Sequence, residues 1–410
     1  QLVTMAEARQ RRGKKEGAPP RTNGAASDPP KSKYKMKSKE FPLVPLGAFF
    51  AAVFLVLGSV YRKFGPTMFF GHAAYDLSRT ASEWRSFLDG YGEGGRGKTV
   101  LLIGGPHRGG TTILWKALTA HPEISGLGDT FRTGSDHSEG INIQDVYPRF
   151  GVGMEHLMKH NPKWQNEMTG VGRYALGDEK EVHLTEDDER VTPENMARIM
   201  NRFGSYWNLS TPVLTEKSPP TAVMSRFLQA LYNLDPSGGG EGKRRSVTKF
   251  LFITRHPLAN AYAQQDLLGG SQAGPSLETL LKNYVQMHKY LKSDMEVLEN
   301  DPKIVRLEDF ASDPNGELRA IYEWLGVDSS DDTVRWILEE GLGEKIRSEP
   351  NKKYQSMWCR SDGKDGTTDW WRYVTAEEYQ KDVDELGLGY DMKGWCRGGS
   401  AGTKTEKKAK

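Results

Sequence analysis

Apolar and polar positions in this chain alternate between two periods, short β-branched runs and longer stretches at helical spacing. Thr99–Ile103 (TVLLI) is a buried-strand run; beyond a glycine-rich stretch, Ile113, Leu114, Ala117 and Leu118 repeat at helical spacing until His121-Pro122. Pro212–Pro220 (PVLTEKSPP) begins as a short apolar strand and ends on Glu216-Lys217-Ser218-Pro219. Phe250–Thr254 is the next run, followed by Arg255-His256-Pro257 and a helix. Ser276–Leu298 predicts an amphipathic helix with Leu277, Leu280, Leu281, Tyr284, His288 and Leu291 on one face, where His288 reads as a core residue. Lys303–Val327 gives a strand, then Glu308-Asp309, Asp313-Pro314 and a helix that packs Leu318, Ile321, Tyr322 and Leu325 and caps on Gly326. Strands alternating with helices predict an α/β domain: a three-layer sandwich around a central parallel sheet, over roughly 98–397.

The chain has 410 residues, 37% of them apolar, enough for one such domain plus appendages. A net charge of +2 is too weak a field to suggest a nucleic-acid partner. The charge is unevenly spread. Residues 1–40 hold eleven Lys and Arg against four acids, interleaved with Pro, Gly and Ser, and read as a disordered cytoplasmic arm in which Met5 is a candidate start. Phe41–Tyr61 carries no charge and is long enough to cross a bilayer, for which about 20 residues suffice. The cations before it put the N-terminus in the cytoplasm, so 41–61 reads as a single-pass signal anchor rather than a cleaved signal peptide. Residues 62–97 then read as a stem ending in a glycine-rich joint, and 398–410 as a disordered tail. Everything past the anchor would face a secretory lumen, which fits the sequon Asn208-Leu209-Ser210. Cys359 and Cys396 are too few for a zinc site and are expected to bridge in an oxidising compartment.

The chemistry concentrates after the first strand. Gly104, Gly105, Gly109 and Gly110 bracket Pro106-His107-Arg108 and lead into a helix at Thr111-Thr112. Glycines let the backbone turn tightly, loop N–H groups converge, and the helix start adds partial positive charge, so the segment is an anion cradle. Against the phosphate-loop pattern GxxxxGK[ST], Thr111 stands where the lysine that reaches the β- and γ-phosphates belongs. A basic residue appears instead at Arg108, which favours a shorter phosphate chain than a triphosphate.

Read as Arg108-Gly109-Gly110-Thr111-Thr112 with His121-Pro122 closing the helix, this segment resembles the 5′-phosphosulfate loop of the Golgi-type, membrane-bound sulfotransferase family. The resemblance implies a P-loop-like sulfotransferase fold, 3′-phosphoadenosine 5′-phosphosulfate (PAPS) as co-substrate, and no metal. Glu216-Lys217-Ser218-Pro219 resembles the family's E-K-[ST]-P signature, which implies that Lys217 stabilises the charge growing on the leaving group. Arg255-His256-Pro257 is similar to the family's 3′-phosphate segment, with Arg255 as a bidentate clamp. The serine the family carries eight residues later is Ala263 here, a lost contact worth about 1.5–3 kcal/mol unless Gln264 or another group substitutes. In the related protein-tyrosine sulfotransferases a catalytic glutamate followed by threonine falls on Asp129-Thr130. Aspartate is shorter by one methylene, about 1.5 Å, and a misplacement near 1 Å can cost on the order of 10²-fold. The other candidate bases are His107, Glu139 and Glu216. Lys353, or its neighbour Lys352, is the late lysine expected to close over the donor.

The resemblance thus implies sulfuryl transfer to a hydroxyl of a glycan or a secretory-pathway protein, tyrosine included, by a Golgi membrane enzyme that could form a homodimer. The competing readings are a P-loop kinase, which would need Mg²⁺ and a phosphate-chain lysine, and an inactive nucleotide- or glycan-binding descendant, suggested by Asp129 and Ala263. Trp370-Trp371 reads as core, and Asp382-Val383-Asp384 sits in a helix-like run with no strand before it, unlike a metal-binding motif. No motif in 134–210 names an acceptor.

Overall fold

The apolar runs form the strands of one sheet. The computed structural model describes residues 77–90, 97–128, 139–150, 170–236, 245–268, 275–342, 346–359 and 370–396, with the side chains of 370–375 excepted. All lie in the second of the chain's two units, Gly71–Lys410. Helix α1 (Ala81–Asp89) precedes β1 (Thr99–Gly104), α2 (Thr111–Thr119), the short β2 (Ile124–Ser125), α3 (Pro193–Gly204) and β3 (Val213–Lys217). Then come α4 (Ser225–Asn233), β4 (Val247–Thr254), α5 (Pro257–Leu267), α6 (Leu277–Met295) and β5 (Lys303–Arg306). Helices α7 (Leu307–Ser312), α8 (Pro314–Leu325), α9 (Asp331–Trp336), α10 (Lys352–Cys359) and α11 (Trp370–Glu385) complete the order.

The sheet runs β2-β3-β1-β4-β5 with every pair parallel. Its two faces feed separate cores, because successive side chains of a strand point to opposite sides. Val100 and Leu102 join Phe250, Phe252 and residues of α1, α3, α4 and α6; Leu101 and Ile103 join Leu251, Ile253 and residues of α2 and α8. Both faces are therefore covered, giving the three expected layers. Thr192 caps α3 by accepting from the Asn195 amide, and Gly326, at φ +73°, closes α8. His288 is a satisfied core residue, its ring nitrogens 2.9 Å from Thr254 Oγ1 and 2.8 Å from the Tyr284 carbonyl.

One boundary read from the sequence is corrected. The stem at 62–97 contains α1, whose Trp84 and Leu88 are fully buried in the same core as Val100. Trp84 Nε1 donates to Asn201 Oδ1 of α3 at 2.9 Å, and the Lys98 amide donates to the Leu88 carbonyl at 2.7 Å. The glycines between them masked an amphipathic helix that belongs to the domain. Among the described residues no helix is long and apolar enough to cross a membrane; 1–40, 41–61 and 398–410 lie outside those residues.

A third core gathers α5, α6, α10 and α11 around Tyr262, Tyr284, Trp358, Tyr379 and Trp395. Cys359 and Cys396 are bonded across it, 37 residues apart in sequence. Replacing both by serine should lower stability by about 3–4 kcal/mol in the loop-entropy model. A fall in urea midpoint, matched by wild-type protein under reductant, checks this.

Candidate active site

Three motif segments leave the sheet side by side. Ile103 of β1 pairs in register with Lys217 of β3, and Gly104 with Phe252 of β4, so the glycine loop, the Lys217 turn and the Arg255 turn share the carboxyl edge of three adjacent strands. The chain goes from β1 towards the β2–β3 side and returns to β4 on the other, which is where open α/β sheets bind ligands.

The loop is knitted to its neighbours. The Gly105 amide donates to the Pro219 carbonyl at 3.0 Å, and Asn260 Nδ2 of α5 donates to the His107 carbonyl at 2.9 Å. Gly105 has φ +141°, and a Cβ there would lie 2.1 Å from the Ile253 carbonyl oxygen; Gly110, at φ +110°, caps α2 against Leu307 and Ile253. Arg108 is left-handed without being glycine, at φ +63°, and its carbonyl accepts from Arg255 Nη1 at 3.1 Å. A non-glycine residue held in that region marks a loop whose shape is imposed by its surroundings.

A cavity of about 1050 Å³ opens on this edge. Arg108, Gly110, Thr111 and Thr112 form its floor, with His107, Glu139 and Arg255 beside them. Apolar Leu307, Phe310 and Ile346 and the α10 residues Lys352, Lys353 and Tyr354 form other walls. Five cations (Arg108, Arg255, Arg347, Lys352, Lys353) face two carboxylates (Glu139, Glu349), a surplus of three positive charges. A compact polyanion with an apolar base attached fits such walls.

Lys217 is completely buried, and its Nζ is 2.6 Å from Glu139 Oε1. Burial pushes the ammonium pKa down and the Glu139 charge pushes it back up. Glu139, rather than Lys217, forms the cavity wall here. The strand-end triplet builds this pair: Glu216 accepts from the Gly140 amide at 2.8 Å and Ser218 Oγ from the Ile141 amide at 3.0 Å, clasping the Gly140–Asn142 turn against β3. Glu216 is itself buried, and burial raises its pKa to about 7.

Arg255 faces the cavity but also ties loops together. Its Nε donates to Asn351 Oδ1 at 2.8 Å and its Nη2 to the Pro350 carbonyl at 2.6 Å. Asn351 in turn donates to Glu308 Oε1 at 2.5 Å, and Glu308 also accepts from the His256 amide and Tyr390. Glu308 is the hub of this corner, a role that the sequence, which places it in scaffold, does not reveal. Gln264, the candidate substitute for the missing serine hydroxyl, is buried behind the cavity lining and donates to Asn260 Oδ1 at 2.5 Å, supporting the hold on the His107 carbonyl. Lys352 and Lys353 lie on the rim, ion-paired with Glu349 and Asp266. Asp129 and Thr130 lie outside the described residues.

The sulfotransferase family model matches residues 101–332, more than half of the chain, from β1 into α9. The chain belongs to the sulfotransferase family. No curated protein matches it. Solved structures similar to this sulfotransferase include a sulfotransferase from Alicyclobacillus acidocaldarius, at 16% identity and a TM-score of 0.39 over 72% of this chain and 97% of that one. The sulfotransferase domain of the Synechococcus PCC 7002 olefin synthase is 15% identical, with a TM-score of 0.34 over 70% of this chain and 95% of that one. A retinol dehydratase, solved with androsterone and the inactive cofactor PAP, is 13% identical, with a TM-score of 0.29 over 76% of this chain and 87% of that one.

Proposed function

We propose that this sulfotransferase moves the sulfuryl group of PAPS in line to a hydroxyl of a glycan or a secretory-pathway protein. The observation that carries the reading is the cationic cavity at the carboxyl edge of three strands, lined by a glycine loop without a phosphate-loop lysine and by Glu139, behind which Lys217 is buried. The N–H groups at the start of α2 and the Arg108 side chain receive the 5′-phosphosulfate. Arg255 receives the 3′-phosphate, and the rim lysines Lys352 and Lys353 close over the nucleotide. Lys217 meets the charge that grows on the bridging oxygen as the S–O bond breaks, which requires it to exchange Glu139 for the donor. The resemblance assigns the base to Asp129, and normal turnover in Asp129→Asn would acquit it.

With the segment 41–61 as anchor, the same reading makes the protein a type II Golgi membrane enzyme with a luminal catalytic domain. Exposed Asn208, whose Oδ1 accepts from Ser210 Oγ at 2.7 Å, supports it as an available sequon. The acceptor is a carbohydrate hydroxyl first and tyrosine second.

Calorimetry on the full chain tests the donor site with PAP, the desulfated product. PAP should bind without magnesium, and Arg255→Lys, which keeps the charge but loses the planar fork, should weaken it about 10–100-fold. Magnesium-dependent ATP binding with no heat from PAP would instead make the protein a kinase.

A further inference from the structure

Arg255 and His256 are gripped from two sides by two segments that one covalent bond fastens together. The first grip is the start of α10. Arg255 Nε donates to Asn351 Oδ1 at 2.8 Å, Nη2 donates to the Pro350 carbonyl at 2.6 Å, and the guanidinium lies 5.1 Å from the centre of the Tyr354 ring. The same helix supplies Lys352, Lys353, Tyr354, Ser356 and Met357 to the cavity wall. At eight residues α10 is shorter than the roughly 12–15 that an isolated helix needs, so its place depends on what it is tied to.

The second grip is the segment 386–396, which follows α11. Trp395 stacks on the His256 ring, centroids 4.2 Å apart, and His256 Nε2 meets the Asp391 carbonyl at 3.3 Å. Tyr390 donates to Glu308 Oε2 at 3.0 Å, and Glu308 Oε1 accepts from the His256 amide at 2.8 Å. Two ties join the grips. Gln355 Nε2 of α10 donates to the Trp395 carbonyl at 2.6 Å, and the bond from Cys359 to Cys396 links the last residue of α10 to the residue after Trp395. Cys396 is exposed and Cys359 half-buried, which puts the bond at the outer end of the third core rather than inside it.

We propose that the Cys359–Cys396 bond is a redox latch on the donor site. Closed, it holds the start of α10 against Arg255, and the cavity grips the nucleotide. Opened, the α10 wall loosens, Arg255 loses its fixed orientation, and the affinity falls. The proposal rests on the sulfuryl-transfer reading above for the nature of the nucleotide.

A dithiol opens the latch by exchange. One of its thiolates attacks the Cys396 sulfur and expels the Cys359 thiolate; its second thiol then attacks the mixed disulfide and expels Cys396. Two electrons and two protons pass to the protein as two cysteine thiols, and the reductant leaves as a disulfide. The reverse exchange, with an oxidised dithiol as co-reactant, closes the latch. A chain made in a reducing compartment would thus gain donor affinity on entering an oxidising one. The effect on binding is one of preorganisation: a clamp that must be ordered at the moment of binding gives up affinity to the cost of ordering it.

The test measures PAP binding to the full chain by calorimetry without denaturant, oxidised and then reduced with dithiothreitol, with free thiols counted and the fold followed by near-ultraviolet circular dichroism. Reduction should weaken PAP about 10-fold while the fold persists. Linkage makes the coupling reciprocal, so saturating PAP should lower the midpoint potential of the bond by about 30 mV for that tenfold. In Arg255→Lys the response to reduction should shrink below about threefold, because the residue that the latch positions is gone. PAP affinity unchanged within about twofold on complete reduction overturns the latch, as does a midpoint potential indifferent to PAP. An undiminished tenfold response in Arg255→Lys overturns the route through the arginine. Global unfolding on reduction also overturns it, since the bond would then serve stability alone. Oxidised protein that binds no PAP fails the sulfotransfer reading itself, a separate outcome seen before any reductant is added.

Discussion

Lys217→Met should abolish sulfuryl transfer, lowering turnover by about 10²–10³-fold, the cost of removing one fixed charge from a developing oxyanion. It should also destabilise the protein. Lys217 and Glu139 are buried against each other at 2.6 Å, and removing one partner leaves the other as an uncompensated charge, at about 3–5 kcal/mol. A loss of activity in the single variant would therefore be ambiguous, since part of the sample could be unfolded. The double variant Lys217→Met/Glu139→Gln separates the two effects, because no charge is stranded. Its urea midpoint should return close to wild type while its turnover stays at the level of the single variant. Recovery of turnover along with stability would remove the lysine from the mechanism.

Most of the fold was legible because a parallel sheet buried on both faces writes itself as short, continuous apolar runs. β1, β3, β4 and β5 lie where those runs are, and the segments that follow them carry the helix starts the sequence announces. What escaped was α1. Its buried positions Ala81, Trp84 and Leu88 fit one helix face, but nine residues between polar flanks and a glycine cluster carry little signal on their own. Its capping box, Thr80 with Glu83, was the local cue available.

The site was legible in its parts and illegible in its connections. Arg108, Thr111, Thr112, Arg255 and Lys353 do share one cavity, because each follows or faces a strand end of known order. That Glu139 would sit on Lys217 could not be read, since 78 residues separate them and only the clasp by Glu216 and Ser218 brings the turn over β3. The same holds for Glu308. In sequence it is half of an acidic pair before a helix; in the fold it collects the His256 amide, Asn351 and Tyr390 from three separate segments. Long-range polar partners leave no periodicity, so pattern alone does not find them.

Stability should collapse between pH 6.5 and 4, and buried histidines rather than carboxylates should set that window. His107, His256 and His288 each have their pKa pushed down to about 4, burial being the largest cause in every case. They are neutral in the fold, while the unfolded chain takes up protons from about pH 6.5 downwards, so acid draws the equilibrium towards the unfolded state. Each contributes roughly 3 kcal/mol, fully present above pH 6.5 and lost by pH 4. Glu216 acts in the opposite sense. Burial raises its pKa to about 7, so it keeps a proton in the fold that the unfolded chain releases, and it regains a similar roughly 3 kcal/mol as pH falls from 7 to 4.5. Three histidines against one carboxylate leave a net loss of two histidines' worth, comparable with the whole stability of an ordinary domain of about 5–15 kcal/mol. His256 is the residue on which to test it: its ring stacks on Trp395 at 4.2 Å, and phenylalanine keeps that packing while giving up the 3.3 Å hydrogen bond between Nε2 and the Asp391 carbonyl. Urea unfolding at a series of pH values should show His256→Phe losing about one proton from the slope of stability against pH between 6.5 and 4. An unchanged slope would mean that this histidine is not held neutral by the fold, and the acid transition would then belong to other groups.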